Sequence, residues 1–311
     1  MQLTTVIFDL GGVVLDWQPE RAFGQVMPAA DVPAFMDRVG FAEWNRDNDR
    51  RARIDGAEAE LVRRFPADAE GIRGYRRHFL HSVTGMVPGT SAVIAELAAG
   101  HLTLGALTNW AEETFLLTRR RFGILDRFAD IVVSGSEGIV KPDPAIFLLA
   151  CERLGVEPAA AVFVDDSPAN VEAATALGLT GLRFADAERL RSDLVGLGLL
   201  GEPVPTRGPV FHLALRAAWD AAVAAGAYPW STAGVGYEQA GFVHCSFADQ
   251  VEGTRWRVHP DVDDDALVLL ELEASGLPLV VEGGYPHLFA PLPLDRATAV
   301  PLPGQVYPGG C

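Results

Sequence analysis

Short apolar runs that end abruptly on polar residues and alternate with helical patterns are the feature that most constrains the fold of this 311-residue chain. The runs are Thr4 to Phe8, Leu102 to Leu107, Ile131 to Val133, Ala161 to Val164 and Thr180 to Phe184. Continuous apolar runs of this length suit strands covered on both faces, and strands alternating with helices predict an α/β fold with a parallel, Rossmann-like sheet. From Trp17 to about Met86 the strand signal lapses, and Arg, Asp, Ala and Phe recur at helical spacing, so residues 16–86 read as a helical insertion between core segments 1–15 and 87–200. Three prolines and two glycines within residues 201–209 mark a linker, after which 210–311 reads as a smaller α+β domain.

Composition narrows the partners. A formal net charge of -16 opposes binding to nucleic acid or to an anionic membrane, both of which require a basic patch. The cysteines, Cys151, Cys245 and Cys311, have neither disulfide-framework nor zinc-ribbon spacing, which fits a reducing cytoplasm. The strand-like run beginning at Leu3 leaves no room for a signal-peptide core, and the apolar runs are too interrupted to span a bilayer. Every basic residue is arginine except Lys141.

Four polar clusters directly follow strand-like runs: Asp9, then Thr108-Asn109, then Lys141, then Asp165-Asp166. In an open α/β sheet the carboxyl ends of the strands form the ligand crevice, so these clusters are expected to converge. Asp143 with Pro144 and Gly155, and Ser167 with Pro168 and Gly178, carry the grammar of a capped helix start and a glycine stop. Asp9, Asp165 and Asp166 are hard oxygen ligands suited to Mg²⁺, with Asp166 read alternatively as a turn residue. Asp9 can attack phosphorus, Thr108 and Asn109 can donate to phosphoryl oxygens, and Lys141 offers a compact positive charge where a guanidinium fits differently.

The four motifs Phe8-Asp9-Leu10-Gly11-Gly12-Val13, Leu107-Thr108-Asn109, Val140-Lys141-Pro142-Asp143-Pro144 and Val164-Asp165-Asp166-Ser167 resemble those of the haloacid-dehalogenase superfamily, over residues 1 to about 200. Nearest in appearance are its sugar-phosphate phosphatases and the N-terminal domain of soluble epoxide hydrolases. The resemblance implies a helical cap over a Rossmann-like core, Mg²⁺ as cofactor held by Asp9, the Gly11 carbonyl and Asp165 with Asp166 beside them, and hydrolysis of a small phosphorylated metabolite. Most phosphatases of the family carry an aspartate two residues after the nucleophile as general acid and base; here that position is Gly11. The expectation is an aspartyl-phosphate that forms readily and decays slowly, with Asp16 the first candidate to replace the missing group. Dehalogenation is disfavoured because the metal carboxylates are retained.

In the second domain, expected strands run Val210 to Leu213, Gly241 to His244, Ala266 to Glu273 and Ala297 to Leu302, with a helix from Leu215 to Ala225. The pattern resembles a bacterial family of unknown function whose members look like the ADP-ribosyltransferase fold. That resemblance implies a nucleotide or NAD-like pocket lined by His212, His244 and Ser246, with His287 nearby; hydrogen-bonded structural histidines are the competing reading. Cys245 reads as a small buried apolar residue. The arginines from Arg46 to Arg53 read as a solvated helix face that alternatively touches an anionic substrate. Two rivals to a phosphatase stand: a non-catalytic phosphate- or nucleotide-sensing protein, and a bifunctional enzyme whose C-terminal domain acts on NAD or ADP-ribose.

Overall fold

The computed structural model describes residues 2–201 and 208–303. The expected linker at 201–209 and the tail beyond 303 therefore lie largely outside the described residues. The chain forms two compact units, one of Met1–Thr90, Gly100–Arg121 and Leu125–Leu200, the other of Ser91–Ala99, Phe122–Ile124 and Gly201–Cys311.

In the first unit, β1 (Thr5–Phe8), β4 (Thr103–Thr108), β5 (Asp130–Val133), β6 (Ala161–Asp165) and β7 (Thr180–Arg183) form one sheet in the order β5-β4-β1-β6-β7, every pairing parallel. These are the five expected strands to within one residue at each end. β1 and β6 are buried at every position, as central strands covered on both faces must be. Ile7, Leu107, Val132 and Phe163 pack with Ile146, Phe147 and Ala150 of helix Pro144–Arg153. That helix begins as expected: Asp143 accepts from the Ala145 amide at 3.0 Å, with Pro144 at its first position. Ser167 precedes helix Pro168–Ala176, but its side chain makes no capping bond, a correction to the sequence reading.

The insertion after β1 is framed by two short strands the sequence does not signal, β2 (Leu15–Trp17) and β3 (Val83–Met86), which pair antiparallel. Strands this short are below the length at which alternation is legible. Between them helices Val32–Val39, Phe41–Asn48, Asp55–Arg64 and Ala69–Arg77 gather around an aromatic cluster of Phe23, Phe35, Phe41, Trp44, Tyr75 and Phe79. The phenylalanines of the insertion therefore form a core of its own.

The second unit is antiparallel. β8 (Val210–Leu215), β12 (Leu267–Leu272) and β15 (Ala297–Val300) form one three-stranded sheet. β9 (Trp230–Thr232) pairs with β10 (Val235–Gly236), and β11 (Val243–His244), β13 (Leu279–Glu282) and β14 (Tyr285–Leu288) form another three-stranded sheet. On β12, Val268, Leu270 and Leu272 enter one apolar cluster while Leu267 and Leu269 enter another, so the apolar run from Leu267 to Leu270 reflects burial on both faces. Among the described residues no helix is long and apolar enough to cross a membrane.

Candidate functional site

Strand register builds the first site. Phe8 pairs with Ala106 on β4 and with Val164 on β6, so Asp9 emerges level with Leu107 and Asp165, and Thr108 ends β4 one residue further on. Strand order reverses at β1, since β4 and β5 lie on one side and β6 and β7 on the other, which is where a ligand crevice forms. The chain then turns tightly: the Leu10 carbonyl accepts from the Val14 amide at 2.9 Å and the Leu15 amide at 2.8 Å. Gly12 sits at φ +77, a left-handed conformation that favours glycine, and a Cβ there would stand 2.9 Å from Asp166 Oδ2 and displace that side chain. Gly11 is under neither constraint, because no atom lies within 4 Å of where its Cβ would be.

Lys141 is the centre of the charge arrangement. Its ammonium donates to Asp9 Oδ1 at 2.8 Å, to Asp165 Oδ2 at 2.7 Å and to the Leu107 carbonyl at 2.9 Å. All three protons are thus directed to protein oxygens arranged around a compact ammonium, a geometry that the planar guanidinium fork does not reproduce. Burial disfavours the charged amine, but the adjacent Asp9 and Asp165 carboxylates outweigh it and raise its pKa. Burial pushes the Asp9 carboxyl up to about 6, against the pull of Lys141 and with help from the charge on Asp165. The Leu10 amide also donates to Asp9 Oδ1, at 2.7 Å, so among the described residues no hydrogen bond occupies Oδ2.

Asp165 is fully buried and saturated: beyond Lys141 it accepts from the Ser167 amide at 2.8 Å and from the Asn170 side-chain amide at 3.0 Å to each oxygen. Asp166 is exposed, and burial of its carboxyl followed by the charge of Asp165 raises its pKa. Oxygens of Asp9, Asp165 and Asp166 all lie within 4.8 Å of one another. Three carboxylates against one ammonium leave a surplus of negative charge, and an all-oxygen donor set fits a hard divalent cation such as Mg²⁺.

Asn109 lines the cavity and also braces Lys141: its Oδ1 accepts from the Lys141 amide at 2.8 Å and its Nδ2 donates to the Lys141 carbonyl at 3.0 Å. Thr108 is buried and lines the cavity with Asp9 and Lys141.

That cavity measures about 250 Å³. Asp9, Gly11, Thr108, Lys141 and Asp166 line one end, and Trp17, Tyr75, Phe79 and Trp110 supply aromatic walls. Asn48 and Asp49 are among its lining residues that the sequence does not single out. Asn48 is 2% exposed, yet among the described residues neither its Nδ2 nor its Oδ1 has a hydrogen-bond partner. Asp49 follows it, and burial pushes its carboxyl up to about 8, the charge on Asp9 adding to the rise while Lys141 and Arg46 pull it back. Both sit at the end of helix Phe41–Asn48, in the arginine-rich stretch whose neighbours Arg46, Arg50, Arg51 and Arg53 are exposed and do not line the cavity. Asp16 is absent from the cavity lining; its carboxylate is held by Gln18 Nε2 at 2.7 Å and by Thr84 Oγ1.

In the second unit the histidines divide. His212 is buried, with Nδ1 against the His244 carbonyl at 2.7 Å and Nε2 against the Tyr228 hydroxyl at 2.8 Å, which leaves no ring nitrogen for a ligand and removes it from the expected pocket. Ser246 is also buried and bonded to Thr254 Oγ1 at 3.0 Å. His244 and His287 do approach, with ring centroids 5.3 Å apart, and Phe242 stacks on His287 at 4.0 Å. His244 Nδ1 meets Ser231 Oγ at 2.9 Å, and His287 Nδ1 meets Glu282 at 3.0 Å. Burial pushes the Cys245 thiol up to about 12, consistent with a packing role.

Residues 3–178 match the family model for haloacid dehalogenase-like hydrolases, and residues 213–300 match a family described as protein of unknown function, DUF952. Acyl-CoA dehydrogenase family member 10 of Mus musculus is 35% identical over 66% of this chain, but the matched part is only 20% of that protein. Phosphoglycolate phosphatase of Nitrosospira multiformis is 31% identical over 57% of this chain and 81% of its own length. Among solved structures, a HAD family enzyme of Bacteroides thetaiotaomicron, in complex with magnesium and inorganic phosphate, aligns with a TM-score of 0.48 at 18% identity, covering 59% of this chain and 95% of that one.

Proposed function

The chain belongs to the haloacid dehalogenase-like hydrolases, and from that premise we propose that it is a Mg²⁺-dependent phosphatase of a small phosphate monoester. The observation that carries the reading is the Lys141 ammonium bonded to both Asp9 and Asp165, with Asp166 completing the carboxylate cluster. Asp9 Oδ2 is the nucleophile, because Oδ1 is occupied by Lys141 and the Leu10 amide. Asp9, the Gly11 carbonyl and Asp166 are the residues suited to hold Mg²⁺, with Asp165 retained by its four hydrogen bonds as the anchor of Lys141 and its neighbours. When bound, Mg²⁺ offsets the charge of the carboxylates and of the phosphoryl oxygens. Thr108 donates to a phosphoryl oxygen, and the charge of Lys141 stabilises the transferring group. Asn48 supplies a donor and an acceptor for a polar group on the organic part of the ester, whose apolar face the aromatic walls accommodate.

Release of inorganic phosphate from sugar phosphates, phosphoglycolate and nucleotides tests this reading. Release must require Mg²⁺ and vanish in Asp9→Asn; phosphate binding without release supports a sensor instead. For the C-terminal unit we propose as a second reading action on NAD or ADP-ribose, tested at the paired rings of His244 and His287. Loss of NAD consumption in His287→Ala of the full chain supports it, and absence of NAD consumption by the wild type removes it.

A further inference from the structure

We propose that Asp49, delivered to the site by the cap, is the general acid and base that Gly11 cannot be. The proposal rests on the phosphatase reading and adds the group that reading lacks.

The cap segment carrying Asp49 is fixed to the core. Ser134 Oγ donates to the Asp49 carbonyl at 2.5 Å and accepts from the Trp110 amide at 2.9 Å. The amides of Glu112 and Glu113 donate to the carbonyls of Arg51 and Ala52 at 3.2 and 3.0 Å. Residues 49–52 are thereby tied to the loops leaving β4 and β5, the carboxyl-end side of the sheet on which Asp9 stands. The Asp49 side chain lines the same cavity as Asp9 and Gly11, and among the described residues no hydrogen bond holds its carboxyl. The charged and titratable groups that bear on it are Asp9, Lys141, Arg46 and Tyr75. Burial, with the charge on Asp9 adding to it, raises the Asp49 carboxyl, the direction a general acid needs. Asp16, by contrast, is bonded within the β2–β3 pair and outside the cavity.

The proton inventory closes. As the bond from Asp9 Oδ2 to phosphorus forms and the ester P–O bond breaks, the Asp49 carboxyl gives its proton to the departing oxygen, which leaves as an alcohol. The Asp49 carboxylate then takes a proton from the water whose oxygen attacks phosphorus. The bond from Asp9 to phosphorus breaks, phosphate departs, and Asp49 is neutral again.

The test uses the full chain in Mg²⁺ with an alkyl ester, glycerol phosphate, and an aryl ester, 4-nitrophenyl phosphate, whose leaving group departs without a proton. Asp49→Asn is expected to lower kcat on the alkyl ester by ~10² to 10⁴-fold. With the aryl ester it is expected to release one equivalent of nitrophenolate at the wild-type rate and then turn over slowly. Because position 11 has room for a side chain, adding Gly11→Asp to Asp49→Asn is expected to recover alkyl-ester turnover. Unchanged alkyl-ester turnover in Asp49→Asn overturns the assignment, as does loss of the nitrophenolate burst, which marks a structural role. A wild type that releases phosphate from neither ester overturns the phosphatase reading itself.

Discussion

The side chain of Asn109 brackets the backbone of Lys141, accepting from its amide at 2.8 Å and donating to its carbonyl at 3.0 Å. Through this pair the loop after β4 sets where the ammonium meets Asp9. Asn109→Ala leaves both backbone groups without their partner, a loss of about 1–3 kcal/mol in a buried setting. The expected result is a kcat lowered by roughly 10 to 100-fold with KM little changed, measured by steady-state phosphate release. A rise in KM alone would place Asn109 on the substrate instead.

Mg²⁺ is expected to stabilise the folded chain, because cation binding offsets the surplus of carboxylate charge at Asp9, Asp165 and Asp166. At a hundredfold excess over its dissociation constant a ligand adds about 2.7 kcal/mol. Thermal melts with Mg²⁺ and with chelator should separate for the wild type and nearly coincide for Asp166→Asn. Equal separation in both removes Asp166 from the metal ligands.

On the proposed function Asn48 reads the organic part of the substrate. Among the described residues its buried amide has no partner, so Asn48→Ala is expected to raise KM by about tenfold or more while kcat holds. Steady-state kinetics on the best ester found in the phosphate-release screen checks this, and a change confined to kcat contradicts it.

Five strands, their parallel order and the convergence of Asp9, Lys141 and the Asp165-Asp166 pair were legible because apolar runs and polar strand ends are local signals. Asn48 and Asp49 were not, because their significance depends on the cap segment 49–52 being tied to the loops of Trp110 and Ser134, a contact between distant parts of the chain. The arginines around them disguised the pair as a solvated helix face. The contacts of Asn109 and Ser167 are hidden for a related reason: residue type gives a side chain's donors and acceptors, but only the fold assigns Asn109 to Lys141 and the Ser167 amide to Asp165. For His212 the sequence leaves a pocket-lining and a structural reading side by side, and its two internal bonds favour the structural one.

Acid should weaken the second unit through His212. Burial pushes its pKa down to about 4 from an ordinary value near 6.5, so the unfolded chain binds the proton more readily. The stabilising preference for neutral His212 is complete above pH 6.5 and is lost as pH falls from there toward 4. The loss amounts to about 2 kcal/mol at pH 5. Urea unfolding followed by the fluorescence of the second unit's tryptophans, at pH 7 and pH 5, should show the difference in wild type and a smaller one in His212→Gln. The same difference in both would assign the acid sensitivity elsewhere.

The proposed mechanism requires that Asp9 become covalently phosphorylated during turnover. Acid quenching during turnover of 4-nitrophenyl phosphate in Mg²⁺, followed by digestion and mass spectrometry, tests it most directly. A labile acyl phosphate on the peptide bearing Asp9 is the expected result, accumulating further in Asp49→Asn and disappearing in chelator. Undiminished phosphate release by Asp9→Asn, or phosphate carried on a different peptide, would contradict the account.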